Sequence, residues 1–305
     1  MSIAFWLVAI CLIATAFLPE LADRSWLFDL ASNLRLPIII AAAILAIAAL
    51  STRRYLIMLV AIGSTVPHLM AMTVHWPEPQ PQGGRPISVG TANLLWNHED
   101  PANAVALLSD LNLDLLVVQE KSTQWNTHLR PLRERYQFTV PGSPAFSHDV
   151  MVFSRWPVVS VTPLAPGSTY RSGMIVELVI DDHTLTVIGV HAPTPTSARL
   201  TDRRDAFLNR IAEEVQARRG NHVLVVGDFN ATPYAPSFQI LAEAGLSADA
   251  SSGTPIATWP TWLPLVGLPI DHVLGNDRIA IGTVETGPDI GSDHYPLIAH
   301  VRLLD

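Results

Sequence analysis

His222-Val223-Leu224-Val225-Val226-Gly227-Asp228-Phe229-Asn230 is the stretch on which the fold turns. Its four consecutive apolar residues are too few for a helix and rich in β-branched side chains, so they read as a strand covered on both faces. Gly227 ends the run, and Asp228 and Asn230 follow at positions that suit an Asx turn. Polar side chains delivered at the end of a buried strand either close a turn or face a cleft, because strand-end loops carry much of a protein's chemistry. By itself the stretch allows both.

Outward from it the pattern repeats. Short β-like runs occur at Ile87 to Ala92, Asp114 to Gln119, Val150 to Phe153, Ile175 to Ile180, Leu185 to Val190, Ile270 to Leu274 and Leu297 to Val301. Several end, as His222 to Val226 does, on a residue able to do chemistry: Asn93, Glu120 and His191 each follow a run, Asp271 and His272 interrupt one, and Asp293-His294 precede another. Each alone has an ordinary explanation as a cap, a turn former or a satisfied histidine. Their repetition does not. Two amphipathic helices are legible, one opening at Asp100-Pro101 and one within Thr196 to Arg219. Many strands with few intervening helices predict an α/β chain whose two packed sheets are flanked by helices, rather than one doubly wound sheet.

The residues before this region need a different solvent. Ile3 to Leu18, Leu36 to Leu50 and Tyr55 to Val74 are apolar, and residues 1–75 carry as charges only Glu20, Asp23, Arg24, Asp29, Arg35, Arg53 and Arg54. Read against a bilayer core about 30 Å thick, they predict three transmembrane helices, the middle one reaching length with Arg35 snorkelling to the interface. A cleaved signal peptide fits the first stretch less well, for it lacks a basic leader and more apolar segments follow. Arg53-Arg54 marks the cytoplasmic turn, which predicts a multi-pass protein of the inner (cytoplasmic) membrane with an extracytoplasmic C-terminal domain. The prolines and glycines of 76–86 read as a stiff linker, leaving 87–305 as the domain.

Composition narrows the chemistry. The chain has 19 basic against 27 acidic residues, a net charge of −8, which argues against tight sequence-blind binding of long duplexes. Cys11 is the only cysteine, so neither an intrachain disulfide nor a cysteine-based zinc site is available.

Taken together, Asn93, Val118-Gln119-Glu120, Gly227-Asp228-Phe229-Asn230-Ala231-Thr232-Pro233, Ile270-Asp271-His272-Val273-Leu274 and Gly291-Ser292-Asp293-His294-Tyr295-Pro296-Leu297 resemble the endonuclease/exonuclease/phosphatase superfamily of metal-dependent phosphoesterases, and the spans resemble its membrane-anchored bacterial members. The resemblance implies a DNase I-like two-sheet sandwich and a divalent cation, usually magnesium with manganese as the alternative. Glu120 would be the main ligand, with Asn93 and Asp293 completing the shell. Asp228 would orient or deprotonate the attacking water, Asn230 would bond a phosphoryl oxygen, and His294, oriented by Asp271, would stabilise the phosphoryl group. His191 matches the histidine proposed as acid for the leaving group, although the sequence offers it no carboxylate partner. The chemistry suits these types: phosphoryl transfer asks for a cation, a positioned water and donors to the equatorial oxygens.

The expected substrate is a phosphoester belonging to a nucleic acid, a lipid headgroup or a small molecule; nothing in the sequence names a protein partner. A silent receptor for a phosphorylated ligand is the reading of another class, and a water-activating carboxylate argues against it. The apolar loop from Thr258 to Leu268 either covers a sheet edge or contacts a membrane or substrate.

Overall fold

The computed structural model describes residues 2–72, 86–140, 149–164, 173–247 and 256–304. Most of the expected linker, and the end of the third expected span at Thr73 and Val74, lie outside them.

The apolar N-terminal region folds as helices α1 (Ser2–Phe17), α2 (Trp26–Asn33), α3 (Arg35–Ser51) and α4 (Tyr55–Met72). Ser25 caps α2 through its side chain. Three separate spanning helices are not what results. Among the described residues α4 alone is long and apolar enough to cross a bilayer; α2 and α3 reach that length only as one span bent by 73°, and the first apolar helix is too short. Sixteen residues at 1.5 Å each give α1 roughly 24 Å, against about 30 Å of hydrocarbon. Arg35, expected at an interface, is buried instead. These helices pack through Ala9, Ala42, Ala46, Ala49 and Ala61 with Leu12, Leu45 and Ile57, while Ile3, Leu7, Ile10, Ile44, Ile47 and Leu59 are turned outward.

The rest of the chain builds two mixed sheets. The first contains β1 (Pro86–Asn93), β2 (Leu115–Gln119), β3 (Phe138–Val140), β4 (Met151–Ser154), and two late strands; the second contains β5 (Val158–Pro163), β6 (Gly173–Ile180), β7 (His183–His191), β8 (His222–Asp228) and β9 (Asp271–Gly275). The late strands are β10 (Ile279–Thr286) and β11 (Leu297–Leu303), giving the orders β10-β11-β1-β2-β4-β3 and β5-β6-β7-β8-β9. Helices α5 (Pro101–Asp110), α6 (Trp125–His128) and α7 (Arg130–Arg135) cover the first sheet, and α8 (Ala198–Ala217) with α9 (Pro236–Glu243) cover the second.

Strand alternation explains why the central strands read as unbroken apolar runs. In β8, Leu224 and Val226 enter the core between the sheets, while Val223 and Val225 enter the core beneath α8 and α9. In β2, Leu115 and Val117 face the inter-sheet core and Leu116 and Val118 face α5 to α7. The result is a DNase I-like sandwich with helices outside both sheets, as expected from the sequence. The Asp100 side chain accepts from Asn103 N at 3.1 Å, capping α5 as its sequence suggested, and Ser197 caps α8.

Helix α2 docks on this sandwich through polar groups. Arg204 of α8 is fully buried and donates to Asp29 Oδ1 at 2.9 Å, and Asn33 Oδ1 accepts from Thr232 N at 2.7 Å.

Candidate active site

Sheet register gathers the polar strand ends. Parallel β7 and β8 place His191 beside Asp228, and antiparallel β8 and β9 place Asp271 on its other side. Parallel β1 and β2 bring Asn93 and Gln119 level, so that Glu120 leaves the first sheet at the same edge. The sheets meet where Asn93 Nδ2 donates to Asp228 Oδ2 at 3.3 Å.

Local backbone makes this mouth. Gly227 has φ +145, and a Cβ there would stand 2.1 Å from Val190 O, so glycine is required for β7 and β8 to stay paired. Next to it Phe229 is buried against Phe238 and His272, which pins the turn by about 1.5–3 kcal/mol of apolar burial and leaves Asp228 and Asn230 facing away from that core. Asn230 has φ 49 and Glu120 φ 58, left-handed conformations that non-glycine residues hold chiefly where the surroundings enforce them. His272, whose pKa burial pulls down to about 4, stays neutral and donates from Nε2 to Ala231 O at 3.0 Å, bracing the same turn.

Asp228 is the centre. Its Oδ1 accepts from Asn230 N at 2.8 Å, and its Oδ2 accepts from the side chains of Asn93 and Asn230, both at 3.3 Å. Two imidazoles approach Oδ2: His191 Nε2 at 3.5 Å and His294 Nε2 at 4.0 Å. The other nitrogen of each ring is held by a carboxylate, His294 Nδ1 by Asp271 Oδ2 at 2.8 Å and His191 Nδ1 by Asp149 Oδ2 at 2.5 Å. Burial, reinforced by the Asp271 carboxylate, raises the Asp228 pKa against the opposing pull of both histidines. For His294 burial works downward, but Asp271, Asp228 and Asp293 outweigh it and lift the pKa from 6.5 to about 9, so the ring is cationic at neutral pH.

The remaining candidates line the same mouth. Glu120 Oε1 lies 3.8 Å from His191 Nε2, and its Oε2 accepts from Trp96 N at 3.1 Å. Asn93 Oδ1 accepts from Leu95 N, and its carbonyl accepts from Ser292 Oγ at 2.8 Å, which brings the neighbouring Asp293 to β1. Asp293 Oδ2 accepts from Trp259 Nε1 at 3.0 Å. Asn230 directs Nδ2 at Ala192 O and Asp228, so in this arrangement its amide secures the turn rather than pointing free toward a ligand.

Hard oxygen donors dominate this set, which fits a divalent cation. Asp228, Asp271 and His294 offer ligand atoms within 4.8 Å of one another, and Asp271 Oδ1 is buried without a hydrogen-bond partner among the described residues. That compact group is not the trio Glu120, Asn93 and Asp293. One member, His294, already spends Nδ1 on Asp271, which weakens the group as a ligand set.

Asp149 is the site residue that sequence reading missed, and it supplies the partner that His191 lacked. Apolar runs point to the polar residues at their ends, whereas Asp149 stands before β4; because β4 is antiparallel to β2, with Met151 opposite Val118, its start shares the mouth with Glu120. Asp149 Oδ1 also accepts from Glu120 N at 3.2 Å.

The family profile described as the Endonuclease/Exonuclease/phosphatase family matches residues 90–294, from β1 through His294. The chain belongs to this family. Similar solved structures include the endonuclease/exonuclease/phosphatase of Beutenbergia cavernae, with a TM-score of 0.59 and 19% identity over 72% of each chain. A 3′ phosphatase from Neisseria bound to product DNA hairpin superposes with a TM-score of 0.56 and 18% identity over 70% of this chain and 98% of that one. Sphingomyelinase C from Streptomyces griseocarneus gives 0.54 and 18% over 71% and 99%. At these identities the likeness is one of fold. No curated protein matches the chain.

Proposed function

We propose that the protein is a membrane-anchored, divalent-metal-dependent phosphoester hydrolase that attacks a phosphodiester with water. The observation that carries this reading is the approach of two carboxylate-held imidazoles to Asp228, a buried carboxylate at the mouth where Glu120, Asn93 and Asp293 also meet. A site for binding alone has no use for that arrangement.

Glu120, with Asn93 and Asp293, would hold a magnesium or manganese ion. When bound, the cation supplies charge neutralisation for the phosphoryl oxygens. The chain's own residues do the rest. Asp228, fixed by Asn93 and Asn230, positions the attacking water and takes its proton, a role to which a raised pKa is suited. Cationic His294 donates from Nε2 to a phosphoryl oxygen while Asp271 holds its other nitrogen. His191, held by Asp149, delivers a proton to the leaving oxygen.

The helices support the anchor. An alanine-rich contact between helices that turn many large aliphatic side chains outward suits helices whose outer solvent is lipid. Their two ends differ: Arg54 lies 4.5 Å over the Phe5 ring at the end of α3, whereas α2, at its start, carries the Asp29 and Asn33 contacts to the catalytic domain. The domain therefore sits opposite the arginine pair, which favours the extracytoplasmic side.

Single-stranded and duplex DNA, RNA, phospholipid vesicles, a chromogenic phosphodiester and a phosphomonoester, each offered with magnesium and with EDTA, test the reading. Magnesium-dependent release from at least one diester is expected. Tight binding of a phosphorylated compound with no turnover of any would replace it with the receptor reading.

A further inference from the structure

The described part of the catalytic domain exposes few large apolar side chains, and three of them are neighbours: Trp262 at 75%, Leu263 at 42% and Leu265 at 87%. They form the tip of a loop without one charged residue from Ile256 to Ile270. Water is a poor solvent for such a tip, and a monomer gains nothing by displaying it. Its base is rigid. Thr261 N donates to Asp293 O at 3.0 Å and Thr261 Oγ1 to Ser292 O at 2.9 Å, while Trp259 Nε1 holds the Asp293 carboxylate. Trp259 is half-buried, its ring 6.5 Å from that of His294, whereas Trp262 is displayed.

The tip also has a fixed address. Its short 3-10 turn, Pro264–Val266, packs against α3, a helix that displays Ile44, Ile47 and Leu50 on its outer surface. The domain's exposed apolar tip therefore adjoins one of the apolar helices. A second tryptophan, Trp96, is 62% exposed on the loop whose backbone N–H meets Glu120, so displayed indole occurs beside both Glu120 and Asp293. Tryptophan favours the boundary between hydrocarbon and headgroups, where its ring is solvated by both.

We infer that Trp262, Leu263 and Leu265 insert into the bilayer crossed by the N-terminal helices and hold the active-site mouth against its headgroup layer. The inference rests on the membrane anchor proposed above. A substrate would then be met at the membrane surface.

Depth measurement tests it. Full-length protein carrying Cys11→Ser is reconstituted in nanodiscs of phosphatidylcholine and phosphatidylglycerol, with one nitroxide-labelled cysteine introduced as Leu265→Cys, Ile62→Cys or Val159→Cys. All three positions are largely exposed, so the label displaces little packing. Collisions with oxygen report lipid, and collisions with a water-soluble nickel chelate report solvent. The label at 265 is expected to favour oxygen as the label at 62 does, with 159 favouring nickel. Nickel access at 265 with oxygen preference at 62 would overturn the tip and leave the anchor standing. Nickel access at both would overturn the two together. A label at 265 shielded from both reagents would place the tip in a protein contact, such as a second copy of the chain, and would also overturn the inference.

Discussion

The two edges of the active site carry the same device in different surroundings. On the β9 side, His294 and Asp271 are both almost wholly buried, with side-chain exposures of 7% and 1%; on the β4 side, His191 is wholly buried but Asp149 is 24% exposed. Both rings point Nε2 at Asp228 Oδ2. Solvent screens a charge at the exposed edge and spares the buried one, so Asp271 controls its imidazole more firmly than Asp149 does. The difference separates the two edges: a buried pair that keeps His294 cationic, and a pair at His191 whose carboxylate is partly open to solvent.

Removing the common target should cost most. Asp228→Asn keeps the shape but not the base, and turnover is expected to fall on the order of 10³-fold, within the range of general-base catalysis, with circular dichroism unchanged. A variant that kept most of its turnover would show that the two imidazoles converge on a bystander. His294→Ala should lose roughly 10²–10³-fold in kcat, the scale of one transition-state donor, and kcat measurements on His191→Ala run alongside should show the smaller loss.

The buried edge also has a pH signature. Because folding raises the His294 pKa from 6.5 to about 9, its stabilisation is fully present below 6.5 and is lost as pH rises through about 9. In EDTA, urea midpoints should fall between pH 6 and 10 by an amount corresponding to roughly 3 kcal/mol at 1.36 kcal/mol per pKa unit, and His294→Gln should flatten that fall. The smallest effect belongs to the exposed edge: Asp149→Asn is expected to lower kcat about tenfold, near 1.4 kcal/mol, as suits a partly screened orienting charge. Equal losses for Asp149→Asn and Asp271→Asn would erase the distinction between the edges.

Legibility in the sequence followed the same physics. Strands buried on both faces, such as β8 and β2, announce themselves as unbroken apolar runs, and their ends delivered Asp228, Glu120 and His191. Edge and rim strands do not: β5, with Val158 and Pro163, and β10, half exposed, lack such runs and leave no local signal. Asp149 escaped because its strand enters the mouth instead of leaving it, a fact of pairing direction that no local pattern states. In the N-terminal region hydropathy located the apolar segments but not the break at Leu34, where φ −95 and ψ 22 bend α2 away from α3. Nor could it foresee Asp29 and Asn33 as contacts to α8 and to Thr232, since their partners lie far along the chain.

The central claim is that Asp228 works with a divalent cation to hydrolyse a phosphodiester. Its most direct test is the release of nitrophenol from bis(p-nitrophenyl) phosphate by the full-length protein and by Asp228→Asn, followed in magnesium, in EDTA and after magnesium is restored. Turnover by the parent protein in magnesium, loss in EDTA, recovery on restoration, and almost none from the variant throughout are expected. Hydrolysis that ignored EDTA, or that the variant sustained at the parent rate, would contradict that claim.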